Sequence, residues 1–89
     1  DAEYTGEVLR RIREAKGIEL REITARTKIG TTYLEAIERE DYDNLPALVY
    51  TRGFVGEMAK FLELDHARVV ETFIKRFRKF LEESGKLDR

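Results

Sequence analysis

The 89-residue sequence has no cysteine, no tryptophan and no glutamine, and only one proline, one histidine and one serine. Without cysteine there is no disulfide framework, no thiolate metal site and no cysteine nucleophile. His66 and Ser84 stand alone in their classes, so neither a serine triad nor a histidine-based zinc site can be assembled. No apolar run approaches the ~20 residues that span a bilayer. The N-terminus, Asp1 rather than Met, reads as trimmed and shows no signal-peptide pattern. An excess of one charge is missing too: 17 Lys and Arg face 18 Asp and Glu, a net charge of −1. Proteins that wrap DNA usually carry a basic excess. The length fits one small domain, 1–89, and leaves no room for a two-domain enzyme with a cleft. Paired carboxylates such as Glu82-Glu83 read as helix surface, so no catalysis, cofactor, metal or small-molecule substrate is expected.

What is present is helical periodicity. Val8, Leu9, Ile12 and Ala15 recur between Thr5, an expected N-cap, and Gly17, an expected stop. Leu20, Ile23 and Ala25 mark a second helix over about 19–26, and Thr27 to Gly30 make a tight connector. A third helix is expected over about 31–39, with Tyr33, Leu34 and Ile37 on one face; Gly30, Thr31 or Thr32 can cap it. The acidic stretch from Glu40 to Pro46 reads as a turn. A fourth helix follows Pro46 to about Leu62, and a fifth runs from about Asp65, its cap, to Glu83, ended by Ser84-Gly85. Val69, Val70, Phe73, Ile74, Phe77, Phe80 and Leu81 form its apolar stripe. The fold class is all-α: five helices containing a helix-turn-helix.

The run from Leu9 to Ile18, followed by Glu22-Ile23 and by Leu34-Glu35-Ala36-Ile37-Glu38, resembles the Cro/C1 repressor-like helix-turn-helix superfamily. Further strings narrow this: Asp41-Tyr42-Asp43-Asn44-Leu45-Pro46, then Tyr50-Thr51-Arg52-Gly53-Phe54. With these, residues 6 to about 75 resemble the N-terminal domain of the RodZ family of bacterial cell-shape proteins. The resemblance implies a piece of a longer, single-pass membrane-anchored protein, held at the cytoplasmic face of the inner membrane. It also implies a partner, the bacterial actin homologue MreB, met by aromatic residues on the fourth helix, here Tyr50 and Phe54. Glu19 departs from the family, which usually has Ser or Thr capping the second helix.

The alternative is a transcriptional regulator using the same fold on DNA. Its contacts would come from Thr31, Thr32 and Arg39 on the third helix, with Lys28 before it. That helix offers no Asn or Gln for base edges. Residues 30–46 hold one basic residue (Arg39) against five acidic ones, among them Glu35 and Glu38 on the expected reading face. Phosphate contacts need cations, so DNA is the disfavoured partner. Arg10, Arg11, Arg13, Lys16 and Lys28 could reach backbone phosphates from the first two helices; the competing expectation is a solvated face paired with acids at i,i+4 spacing, as Glu14 can with Arg10 or Arg11.

The fourth helix carries two apolar rows. Val55, Met58, Ala59 and Leu62 suit the core, while Tyr50, Phe54 and Phe61 lie on a rotated row. With Arg52 beside it, the aromatic pair has the composition of an interface hot spot; the competing expectation packs the rings under the Tyr42 loop. Gly53 and Gly56 are expected to admit a neighbouring backbone. The loop holding Tyr42 and Asp43 offers charge complementarity to a basic partner patch or is simply a capped turn. Lys75 to Lys79 form a basic stretch flanked by Glu71, Glu82 and Glu83, either a solvated face or a lipid-facing patch.

Overall fold

The computed structural model describes residues 3–86. Five α-helices and one short 3-10 turn follow each other: α1 Gly6–Ala15, α2 Leu20–Thr27, α3 Thr31–Arg39, the turn Tyr42–Asn44, α4 Leu48–Phe61 and α5 His66–Glu83. The described residues hold no strand, so the all-α expectation stands.

Local chemistry sets the boundaries. The Thr5 hydroxyl accepts from the Val8 N–H at 3.1 Å and starts α1. Gly17 ends it in the left-handed region at φ +71°. At the start of α2 the Glu19 N–H donates to the Glu22 carboxylate at 2.9 Å. Glu19, neither Ser nor Thr, therefore still sits in a capping box, with Glu22 as its partner. Lys28 at φ +68° turns the chain toward α3, whose N-cap is Gly30 with no side-chain bond. Asp65 accepts from the Arg68 N–H at 3.2 Å and opens α5.

The helices bury one core. Leu9, Ile23, Leu34 and Ile37 from α1–α3 meet Val55, Met58, Ala59 and Leu62 of α4 and its end and Val69 and Phe73 of α5, all fully excluded from solvent. Each large apolar side chain buried this way contributes about 1.5–3 kcal/mol. α4 and α5 make the most extensive pairing.

The two glycines of α4 differ from the expectation. Gly53 faces open space, and a Cβ on Gly56 would meet the His66 side chain at 2.6 Å. The neighbour admitted by α4 is therefore a side chain of α5, since His66 lies across it, and not a backbone. The backbone approach lies at Gly6, where a Cβ would fall onto the carbonyl oxygens of Ile37 and Glu38.

Two ion-pair systems tie the helices together. The Arg13 guanidinium meets the Glu38 carboxylate at 2.6 and 3.0 Å and donates to the Ile18 carbonyl at 2.8 Å. The side-chain hydrogen bond to Glu38 outweighs burial and raises the Arg13 pKa. Glu38 is 7% exposed, which corrects its placement on the reading face of α3. The second system centres on Glu40, whose carboxylate accepts from the Gly6 N–H at 2.7 Å, from Arg76 and from the Tyr42 hydroxyl. Arg76 also donates to the Tyr4 carbonyl at 3.0 Å. Glu40 is thus part of a three-way joint rather than of an exposed acidic loop.

Candidate functional site

The first two turns of α4 carry the exposed apolar surface. The Thr51 hydroxyl is buried and donates to the Pro46 carbonyl at 3.0 Å, which fixes the rotation of the helix where it leaves the loop. With Thr51 inward, its neighbours in sequence turn outward. Val49 is 69% exposed and Tyr50 63%. One turn on, Phe54 is half-buried and its ring centroid lies 5.5 Å from that of Tyr33 on α3, within the range of attractive ring pairs. Tyr33 is itself 39% exposed. Arg52 is exposed on the neighbouring flank of α4.

The rings of Tyr50 and Phe54 are not packed under the Tyr42 loop. Tyr42 turns the other way: its ring stacks on Phe77 at 5.4 Å, lies 4.9 Å from Phe80 and meets Phe73 edge-on at 6.2 Å. Burial first, then the hydrogen bond to the Glu40 carboxylate, push its phenol pKa up to about 12. Asp43 is exposed and pairs with Lys86 at 2.7 Å. The structure thus brings Tyr50 and Phe54 together and adds Tyr33 and Val49. Tyr42 is engaged against α5, and Asp43 against Lys86 just past the end of that helix.

Sequence reasoning missed Val49 and put Tyr33 with the core. The available signal for Val49 was the apolar triplet Leu48-Val49-Tyr50, since three consecutive residues cannot share one helix face. Of the candidate nucleic-acid contacts, Thr31, Thr32, Arg39 and Lys28 are all exposed, and so is Glu35. With Glu38 and Glu40 paired inside the fold, this surface is less acidic than the sequence charge implies, yet it still carries Glu35 where a base-reading cation or amide would stand. Among the described residues no group of three His, Cys, Asp or Glu could hold a metal ion, and no helix is long and apolar enough to cross a membrane.

Two short helices joined by a tight turn, α2 and α3, set on α1 and backed by α4 and α5, define the class as helix-turn-helix. The sequence profile of a helix-turn-helix domain family matches residues 8–69, and the chain belongs to this family in its RodZ-type form. Over 68 residues it is 41% identical to the cytoskeleton protein RodZ of Streptococcus pneumoniae (strain ATCC BAA-255 / R6), an alignment covering 76% of this chain and 25% of that protein. The chain thus spans about a quarter of the length of this curated relative. No solved structure matches it.

Proposed function

We propose that this domain is a protein-docking module of a membrane-anchored cell-shape protein, and that it binds the actin-like MreB filament through the head of α4. The observation that carries the reading is Tyr50, a large aromatic ring 63% exposed beside the equally bare Val49 and next to the Tyr33–Phe54 pair. Aromatic residues with an adjacent arginine are enriched where binding energy concentrates, and Arg52 stands beside them. The cytoskeletal name of the relative supports a protein partner. In this reading the domain works at the cytoplasmic face of the inner membrane, holds no cofactor and catalyses no reaction. Tyr50 and Val49 supply the desolvated centre of the contact and Arg52 its polar rim.

The test is co-sedimentation of the chain with polymerised MreB. The domain should pellet with filaments and stay in the supernatant without them. Failure to pellet at filament concentrations well above the micromolar range would overturn the proposal. The DNA reading has a separate check. Any retention of duplex DNA should be weak and vanish with modest salt, because non-specific binding rests on displaced counterions; a salt-resistant, sequence-dependent complex would favour a regulator instead.

A further inference from the structure

A second surface lies between α4 and α5, apart from Tyr50 and Phe54. It is a groove of about 910 Å³, with Arg52 of α4 on one wall and one face of α5 along its length. From Ala67 to Glu83 the α5 residues that line it recur at i+3 and i+4, so they form a single continuous row. Ala67, Val70 and Ile74 give it an apolar half. The charged residues come in a fixed order: Glu71, then Lys75, Arg78 and Lys79, then Glu82 and Glu83.

The central cations are available. Arg52, Lys75, Arg78 and Lys79 are all exposed, and none has an ion-pair partner among the described residues. Arg76, in the same basic stretch, is by contrast consumed by Glu40 and Glu3. Exposed pairing of the free cations with Glu71, Glu82 or Glu83 at i,i+4 would contribute only about 0.3–0.5 kcal/mol each, so a ligand can displace it.

The charge order selects the occupant. A second copy laid antiparallel along this face sets Glu71 against Glu82 and Glu83, and Lys75 against Arg78 and Lys79; a parallel copy sets each residue against itself. In full overlap both arrangements put like charges together; an antiparallel copy shifted along the row matches Arg78 and Lys79 to Glu83 and Glu82 but leaves Glu71 and Lys75 outside the pairing, so a second copy uses only part of the row. A flat anionic bilayer or a DNA backbone would meet the carboxylates at both ends of the row, whereas a helix can carry charges of both signs in a matching order along one face.

We infer that the α4–α5 groove binds an amphipathic helix of another protein, acidic at its centre and basic at its two ends, with its apolar edge against Ala67 and the aliphatic stems of Lys75, Arg78 and Lys79. The row from Ala67 to Glu83 runs about 24 Å at 1.5 Å per residue, which a ligand helix of about sixteen residues covers. Val70 and Ile74 keep only 5% and 4% exposure, so charge carries most of the selectivity. Arg52 borders both faces, but the row on α5 that carries this inference contains none of the Tyr50 surface.

The test uses the 89-residue chain and a labelled synthetic amphipathic peptide of about sixteen residues, with central glutamates and terminal lysines, followed by fluorescence anisotropy. The chain should bind this peptide, and the double variant Lys75→Glu, Arg78→Glu should bind it at least about tenfold more weakly, the effect expected for two charge pairs inverted at a partly desolvated surface. A peptide with lysines at the centre and glutamates at the ends should recover binding to the double variant. Both replaced residues are exposed, so circular dichroism should be unchanged. Equal affinity of wild type and double variant for the first peptide overturns the inference. So does failure of the peptide to bind while phosphatidylglycerol vesicles or duplex DNA bind in a manner sensitive to the same substitutions. Tyr50→Ala should bind the peptide as wild type does; loss there would place the peptide on the α4 head and also overturn the groove.

Discussion

Arg76 and Glu40 stand 36 positions apart in sequence and meet at 3.1 Å. The carboxylate also holds the Gly6 N–H, and the guanidinium the Tyr4 carbonyl. One ion pair therefore fastens the start of α1, the end of α3 and the middle of α5, and it removes two charges from the exterior. The basic stretch of α5 and the acidic segment before Pro46, which look like opposed surface patches in the sequence, neutralise each other in part inside the fold.

Glu40→Ala should destabilise the domain by about 2–3 kcal/mol, because it leaves the Gly6 amide without its acceptor and takes from a partly buried guanidinium its bidentate carboxylate partner. Glu40→Gln keeps an acceptor and should cost less. Urea unfolding with unchanged slope, read by circular dichroism, checks both.

Acid should act through the same carboxylate. Burial raises the Glu40 pKa, but the hydrogen bonds from Tyr42, Gly6 and Arg76 outweigh it and hold the pKa below the ordinary value of 4.5. The ionised form is thus favoured in the folded state. Its contribution to stability is present above about pH 4.5 and is lost as pH falls through the lower, folded value. The stability gap between wild type and Glu40→Gln should narrow as a pH series of urea midpoints descends through that window.

Base should act through Tyr42. Its phenol is raised from 10 to about 12 in the fold, so the neutral form is favoured there. That stability is complete below pH 10 and is lost as pH rises toward 12. Ultraviolet difference absorbance should show a late tyrosinate transition that Tyr42→Phe removes.

The glycines should respond in opposite directions. Gly6→Ala drives a Cβ onto backbone carbonyls of α3 and should cost about 1–3 kcal/mol. Gly53→Ala has open space and a helical backbone, and should stabilise by up to about 1 kcal/mol. Thermal melts of the two variants check the pair.

These cases mark how far the sequence could be read. Features fixed by near neighbours were legible: Thr5 and Asp65 as caps, Gly17 as a stop, and Val55, Met58 and Leu62 as one buried stripe. Glu38 was not, because its position on α3 reads as polar surface until Arg13, 25 residues earlier, is brought against it. Tyr42 was not, because a tyrosine in an acidic turn gives no sign that three phenylalanines of α5 surround it. For the exposed face of α4, spacing isolated Tyr50 and Phe54 as a separate row. It did not reveal that Tyr33 comes across from α3 to cover Phe54, which makes Phe54 partly structural and Tyr50 the freer ring.

That difference separates two substitutions. Tyr50→Ala should change stability by no more than about 0.5 kcal/mol, as exposed positions do. Phe54→Ala removes a half-buried ring and its Tyr33 contact and should cost about 1–2 kcal/mol. Replacing both together therefore lowers the melting temperature as well as altering the surface, and Tyr50→Ala is the cleaner probe.

The central claim is that this helix-turn-helix fold engages a protein through the head of α4 and not DNA through α3. The most direct measurement is the affinity for polymerised MreB, by quantitative co-sedimentation, of Tyr50→Ala set beside Thr32→Ala. Tyr50→Ala should bind roughly thirtyfold more weakly, as expected for loss of a hot-spot ring worth about 2 kcal/mol, with its melting temperature retained, while Thr32→Ala binds as wild type does. Undiminished binding by Tyr50→Ala, or an equal loss in Thr32→Ala, would contradict the account.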